Sequence, residues 1–217
     1  MSIWVKICAN TSLEDAQLGA EAGADAVGFV FAPSPRRVTA AQAAAIVPHL
    51  PAELEKIGVF VDATLEEIAA TVETAGLTGV QLHFHAAQDL PARLKGRFGE
   101  KLRVLRVVHF EAGSAGADLG FDASVDAVLV DSKTAAAVGG TGKTFDWTLA
   151  GETVFRSPGE TKLVAAGGLT PENVAEAIEK LRPWGVDTVS GVEIAPGRKD
   201  PAKVSAFIAH ARAAGGR

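Results

Sequence analysis

The sequence predicts a single-domain (β/α)8 barrel, and three observations lead to that fold class. Short runs of Val, Ile, Leu and Ala alternate with helix-like segments about eight times along 217 residues, the tally of a closed parallel barrel. The strand-like runs are near-continuously apolar rather than alternating, as in a parallel sheet covered by helices. Two glycine-bearing turns, Ala166-Gly167-Gly168-Leu169 and Ser190-Gly191-Val192-Glu193, follow the last two runs, where such a barrel holds a phosphate. An open doubly wound sheet is the alternative reading of the same alternation. No Pro/Ser linker or break in composition divides the chain, so one domain is expected over residues 1–217.

The elements follow in order. Residues 3–8 form the first strand, and Thr11-Ser12-Leu13-Glu14-Asp15 opens a helix over 12–22 that stops at Gly23. Residues 26–31 are the second strand, after which Thr39 caps an alanine-rich helix that stops near Pro48. The third strand is 57–61, and Thr64 opens the third helix, which ends at Gly76. Residues 79–83 and 87–98 give the fourth strand and helix, and 102–108 the fifth strand. The stretch 111–124 is rich in Gly and Ala, so its helix is weak or short. Residues 125–131 are the sixth strand, and 132–161 form the least regular part, with one short helical turn. Residues 162–166 are the seventh strand, with Pro171 early in a helix that runs to about residue 181. Residues 186–190 and 201–214 are the eighth strand and the closing helix.

Composition narrows the function. Hydrophobic residues make up 47% of the chain, enough for a sizeable core, and the formal net charge of -5 argues against nonspecific nucleic-acid binding. Cys8 is the only cysteine, so no intrachain disulfide forms and a cytoplasmic setting is expected. The start, Met1-Ser2-Ile3-Trp4-Val5-Lys6, lacks the basic segment and long apolar run of a signal peptide. No uncharged apolar stretch approaches membrane-spanning length, so no membrane partner is expected.

In a barrel the chemistry sits where strands end, so the strand-end residues are the candidates. Adjacent glycines at Gly167-Gly168 and Ser190-Gly191 let the main chain approach an anion closely, and a helix start after them adds a favourable dipole. Cys8 ends the first strand; it reads as a buried small hydrophobe or as a thiolate base or nucleophile. Asp131 ends the sixth; it reads as a turn carboxylate or as a general acid with a raised pKa. Pro33-Ser34-Pro35-Arg36-Arg37 is a rigid loop after the second strand, and a guanidinium there is either surface charge or a partner for a substrate carboxylate. Gly139-Gly140-Thr141-Gly142-Lys143-Thr144 is not a nucleotide loop, because the first required glycine falls on Ala137; a lid or phosphate-contacting loop is the better reading. His83 and His85 would share one face of a strand as metal ligands do, but no carboxylate-rich cluster accompanies them, and packing is the default for His83.

These residues together resemble the phosphoribosylanthranilate isomerase family of tryptophan biosynthesis. The resemblance runs along nearly the whole chain, through Val5-Lys6-Ile7-Cys8, Gly28-Phe29-Val30-Phe31, Ser34-Pro35-Arg36-Arg37, Gly58-Val59-Phe60-Val61 and Val80-Gln81-Leu82-His83. It continues in Leu129-Val130-Asp131, the run from Gly139 through Trp147, Gly167-Gly168-Leu169-Thr170-Pro171-Glu172-Asn173-Val174 and Ser190-Gly191-Val192-Glu193. The resemblance implies an Amadori rearrangement, aldose to ketose, of a small phosphoribosyl substrate, without a cofactor or metal. By the same resemblance Cys8 matches the general base, Asp131 the general acid and Arg36 the grip on the anthranilate carboxylate. Gly140, Thr141, Gly142, Gly167, Gly168, Ser190 and Gly191 match the phosphate-facing backbone. The family includes monomers and homodimers.

Three departures from the family pattern bear on the site. Cys8-Ala9-Asn10-Thr11 stands where Cys-Gly-Leu/Ile-Thr is usual, so Ala9 carries a Cβ where glycine serves unusual dihedrals. Phe84 and His85 follow His83 where a glycine is usual, and Val189-Ser190 replaces paired serines. Lys6 shares the parity of Cys8 along the strand and so can assist loss of its proton. Two competing readings are the related histidine-pathway isomerase, disfavoured by Cys8 and by the single pair of phosphate turns, and a phosphosugar-binding barrel with altered turnover.

Overall fold

The apolar runs become eight parallel strands. β1 (Trp4–Ile7), β2 (Ala26–Val30), β3 (Glu55–Phe60), β4 (Gly79–Leu82), β5 (Arg103–Phe110), β6 (Ala127–Ser132), β7 (Leu163–Ala165) and β8 (Gly185–Thr188) pair in chain order into a closed barrel. Closure is made by β8 returning to β1, with Trp4 beside Gly185 and Ile7 beside Thr188. A closed ring leaves no edge strand, which rules out the open doubly wound sheet. The computed structural model describes residues 2–83, 86–110, 123–132, 146–156 and 161–216. The expectations for residues 84–85, most of 111–124, and Gly140, Thr141 and Gly142 fall outside the described residues.

Local sequence sets the helix starts. Ahead of α1 (Leu13–Glu21), the Ser12 side chain accepts from the Asp15 N–H. Thr39 and Thr64 each build a capping box, with Gln42 for α2 (Ala40–Ile46) and Glu67 for α3 (Leu65–Ala75). Gly76 ends α3 with φ 68°, a left-handed turn that glycine adopts freely. After α2 the chain tightens into one 3-10 turn over Val47–His49, because Pro48 has no N–H to continue the helix.

The remaining helices are α4 (Leu90–Phe98), α5 (Trp147–Glu152), α6 (Val174–Leu181) and α7 (Pro201–Gly215). Two expected boundaries are corrected. The fourth helix begins at Leu90, with Pro91 in its first turn, rather than at 87. Pro171 lies in the turn before α6, so the segment after the Gly167-Gly168 turn is not yet helix. No α-helix therefore begins directly behind those glycines, and the expected dipole contribution there is removed. The sequence reading also lacked a two-stranded antiparallel hairpin, β9 (Glu193–Ala195) and β10 (Arg198–Lys199).

The core has two levels. Strand residues such as Ile57, Leu105, Leu129 and Val164 form one cluster, with Trp4 below them; these side chains fill the barrel interior, since alternation sends every second residue inward. Two larger clusters pack helices onto the outside, for example Ile68 and Val72 of α3 against Phe60 and Val80, and Phe207 and Ile208 of α7 against Ile3 and Val5.

Candidate active site

The carboxyl ends of the strands surround a cavity of about 790 Å³, counted out to its open mouth. Cys8, Arg36 and Asp131 all line it. So do Gly167, Gly168, Ser190 and Gly191. Every candidate site residue within the described part of the chain therefore meets in one place.

Cys8 follows β1 and is 3% exposed. Its N–H donates to the Thr188 carbonyl at 2.9 Å, tying it to β8. The next residue, Ala9, has φ 62°. The left-handed turn that glycine would serve is thus kept with an alanine, at a cost of about 1–2 kcal/mol. Asn10 holds that turn: its Nδ2 donates to the Ile7 carbonyl at 2.9 Å and the Gly28 carbonyl at 3.1 Å. Gly28 is required by the thiol itself, because a Cβ there would sit 2.4 Å from the Cys8 Sγ.

Beneath the thiol lies a buried charged group. Lys6, fully buried, donates from Nζ to Gln81 Oε1 at 2.8 Å and to Asp187 Oδ1 at 2.9 Å. Burial opposes the ammonium, but Asp187 and Cys8 outweigh it and raise the Lys6 pKa. Burial also pushes the Cys8 thiol up, against the lowering influence of Lys6, so the resting sulfur is a thiol. Burial raises the Asp187 carboxyl too, although Lys6 and Lys199 pull the other way.

Arg36 is held by a residue that was quoted in the sequence only as part of a turn. Its Nε donates to Glu193 Oε1 at 2.9 Å and Nη2 to Glu193 Oε2 at 2.7 Å, a two-pronged pair with both side chains largely buried. Burial works against charge on Glu193, yet Arg36, Lys199 and the Gly197 N–H together hold its carboxyl below the usual range. Lys199 of β10 donates from Nζ to the Cys8 carbonyl at 2.6 Å and lies 3.4 Å from Glu193 Oε1. In the sequence Lys199 sits in Arg198-Lys199-Asp200, which reads as surface charge; only the hairpin turns it inward.

The two glycine turns pack against each other. Gly167 and Gly168 have φ 84° and 66°, and Asn173 fixes the second by donating to its carbonyl at 3.0 Å. A Cβ on Gly191 would lie 1.9 Å from the Leu169 carbonyl oxygen, so the β8 turn reaches the β7 turn only as glycine. Thr188 Oγ1 donates to the same carbonyl at 2.7 Å.

Across the cavity Asp131 sits near the end of β6, in register with His109 of β5. His83, after β4, also lines the cavity, and burial lowers its pKa to about 4, so its imidazole is neutral near pH 7. Among the described residues no group of three or more His, Cys, Asp or Glu is placed to hold a metal ion, and no helix is long and apolar enough to cross a membrane. His85 lies outside the described residues.

Comparison with known proteins bears on the fold and the family. The family model for N-(5'-phosphoribosyl)anthranilate isomerase covers residues 5–210. An N-(5'-phosphoribosyl)anthranilate isomerase of Pelobacter propionicus is 44% identical over 207 residues, 95% of this chain and 94% of that protein. The crystal structure of phosphoribosyl anthranilate isomerase from Thermotoga maritima superposes with a TM-score of 0.83 at 37% identity, covering 97% of this chain and 99% of that one. Another phosphoribosyl anthranilate isomerase structure, in complex with reduced 1-(o-carboxyphenylamino)-1-deoxyribulose 5-phosphate, superposes at 0.79 with 33% identity, covering 97% and 99% of the two chains. With a family match over nearly its whole length, and relatives this similar in sequence and in fold, the chain belongs to the N-(5'-phosphoribosyl)anthranilate isomerase family.

Proposed function

We propose that this isomerase converts N-(5'-phosphoribosyl)anthranilate to 1-(2-carboxyphenylamino)-1-deoxyribulose 5-phosphate by an Amadori rearrangement, with Asp131 as general acid and Cys8 as general base. One observation carries the reading: a thiol and a carboxyl, 123 positions apart in the sequence, line the same cavity together with two glycine turns and an arginine. The solved relative that holds a reduced form of the ketose supports it.

In this reading the glycine turns at Gly167-Gly168 and Ser190-Gly191 cradle the phosphate on main-chain N–H groups, with Gly140, Thr141 and Gly142 completing the grip. The anthranilate carboxylate meets Arg36, whose Nε and Nη2 already pair with Glu193, so Nη1 is the donor directed to the substrate. Fixing both ends of the substrate supplies orientation, a large share of any barrier reduction. Asp131 delivers a proton to the furanose ring oxygen, and the ring opens to a Schiff base. Cys8, as thiolate, removes the proton on C2 of the sugar. The resulting enolamine takes a proton at C1 and tautomerises to the ketone. None of these steps calls for a cofactor.

Steady-state assay of Cys8→Ser and Asp131→Asn tests the assignment. Each variant is expected to lose most of its turnover while still binding product, because each positioned proton transfer contributes ~10²–10⁴-fold. Full turnover in Cys8→Ser would remove the thiol from the mechanism.

A further inference from the structure

The reaction needs a thiolate, and the resting sulfur is a buried thiol. Solvent is a poor destination for its proton, since Cys8 is 3% exposed. The group beneath it offers another. Lys6 and Cys8 are two apart in the chain and point to the same side of the barrel wall. An ammonium has three N–H donors; one goes to Gln81 Oε1 at 2.8 Å and one to Asp187 Oδ1 at 2.9 Å. Lys6 stands in register with Asp187 across the β1–β8 seam, and Cys8 and Asp187 line the same cavity. Gln81 is neutral and pins the ammonium without competing for its charge.

We infer that Lys6 and Asp187 act as a proton-holding pair for Cys8, so that the three groups share one negative charge. In the resting protein that charge is on the Asp187 carboxylate and sulfur carries its hydrogen. For reaction an Nζ proton first passes to Asp187, which leaves Lys6 an amine with a lone pair, and the amine, turning about its Cε–Nζ bond, then takes the S–H proton. The S–H bond and one N–H bond break, one N–H and one O–H bond form, and the ammonium is regenerated. The product is a thiolate, a neutral carboxylic acid and no net change in charge. Asp187 is a positioning residue here, acting through Lys6. The inference rests on the reading of Cys8 as base.

The surroundings fit a single shared anion. The side chains of Lys6 and Asp187 are 0% and 7% exposed, and two anions beside one buried ammonium would leave one of them unpaired at a high desolvation cost. The other charges facing the sulfur are already committed. Lys199, from β10, is bonded to the Cys8 carbonyl and placed against Glu193. Arg36, from the loop after β2, is clamped by Glu193. His83, after β4, faces Lys6 as a neutral ring, and Asp131 faces the cavity from β6. Lys6 is therefore the cation through which sulfur and carboxylate exchange a proton. Burial raising both the Cys8 thiol and the Asp187 carboxyl is the expected companion of such competition.

With one cysteine in the chain, the ultraviolet absorbance of the thiolate reports Cys8 alone, with a Cys8→Ala protein as blank. Titration of the intact wild type, Asp187→Asn and Lys6→Met tests the pair without relying on turnover. Asp187→Asn removes the competing anion, so the thiolate midpoint is expected to fall by at least about one pH unit, a tenfold gain in thiolate on the acid side. In the same variant kcat falls rather than rises, because the sulfur's proton has lost its acceptor. Lys6→Met is expected to raise the midpoint by a similar amount; its buried Asp187 can stay neutral by keeping a proton. An unmoved midpoint in Asp187→Asn, or a rise, overturns the inference. If that variant does not fold, Lys6→Met decides, and an unmoved midpoint there overturns it equally. Failure of both to fold also contradicts it, since Cys8 is held to supply the anion that Asp187 loses. A wild-type rate in Cys8→Ser would instead overturn the base assignment and leave these midpoints unaffected.

Discussion

The two ends of the barrel solve opposite problems. At the amino ends of the strands, charges are spent on each other and on the backbone. Asp25 accepts from the Val5 N–H at 2.7 Å and pairs with Arg212 at 2.8 Å; Asp126 accepts from the Val104 N–H at 2.6 Å and pairs with Lys95 at 2.8 Å. Trp4 stacks on Trp184 with ring centroids 5.1 Å apart, and Arg103 and Lys162 lie over the Trp184 ring at 5.7 and 5.1 Å. At the carboxyl ends the same chain keeps Ala9 and Asp62 in left-handed conformations, against Arg182 at the base, and buries Lys6, Asp187, Glu193 and Lys199 near an open cavity. The base is built for cohesion. The mouth stores strain and charge, as functional sites do.

This contrast sets up tests in which mouth substitutions should change chemistry and base substitutions should change cohesion. The largest effect is expected for Cys8→Ser: kcat/KM falls by ~10²–10⁴-fold with little change in melting temperature; a melting shift as large as the rate loss would break the contrast. Arg36→Ala should raise KM by losing a charge-assisted contact of ~1.5–3 kcal/mol. An unchanged KM would take Arg36 out of the binding pocket.

A third test is pH. His83 is held neutral in the fold, with its pKa near 4 against an ordinary 6.5. The unfolded chain therefore takes up a proton first as pH falls. The stabilisation is complete above pH 6.5 and is lost progressively between 6.5 and about 4, by about 3 kcal/mol at most. Denaturant midpoints measured across that window should show the fall, and His83→Gln should flatten it.

At the base, Trp184→Leu should cost ~1–2 kcal/mol from the lost stack and cation–π contacts while kcat stays at the wild-type value. A loss of activity there would show the ends to be coupled. The smallest effect is expected for Ala9→Gly. Relief of the left-handed alanine is worth ~1–2 kcal/mol, offset by ~0.5–1 kcal/mol from greater freedom of the unfolded chain. A net gain of up to about 1.5 kcal/mol in a denaturant titration would sharpen the reading of the mouth as strained, and a net loss would blunt it.

Much of the barrel was legible in the sequence. Continuous apolar runs marked every strand to within about two residues, and Thr39 and Thr64 announced their helices by side-chain chemistry that acts within one turn. Strand ends slipped because they depend on where the neighbouring strand stops pairing. Cys8, Arg36, Asp131 and the two glycine turns were found by one rule, that residues at strand ends face the mouth. Glu193 and Lys199 escaped it because they stand beyond the last strand, on a hairpin whose fold-back is not written in any periodicity. Asp187 escaped because an aspartate between Val186 and Thr188 gives no local sign that a lysine from β1 meets it inside the barrel.

The hairpin of β9 and β10 binds the last strand's exit to the first strand's exit. Thr11 Oγ1 donates to the Gly197 carbonyl at 2.6 Å, and Lys199 reaches the carbonyl of Cys8 across 191 positions of sequence. The turn after β1 that carries Cys8 is therefore fastened by residues that follow β8 in the chain. A chain cut before the hairpin would keep all eight strands and lose both of these ties at the exit of β1.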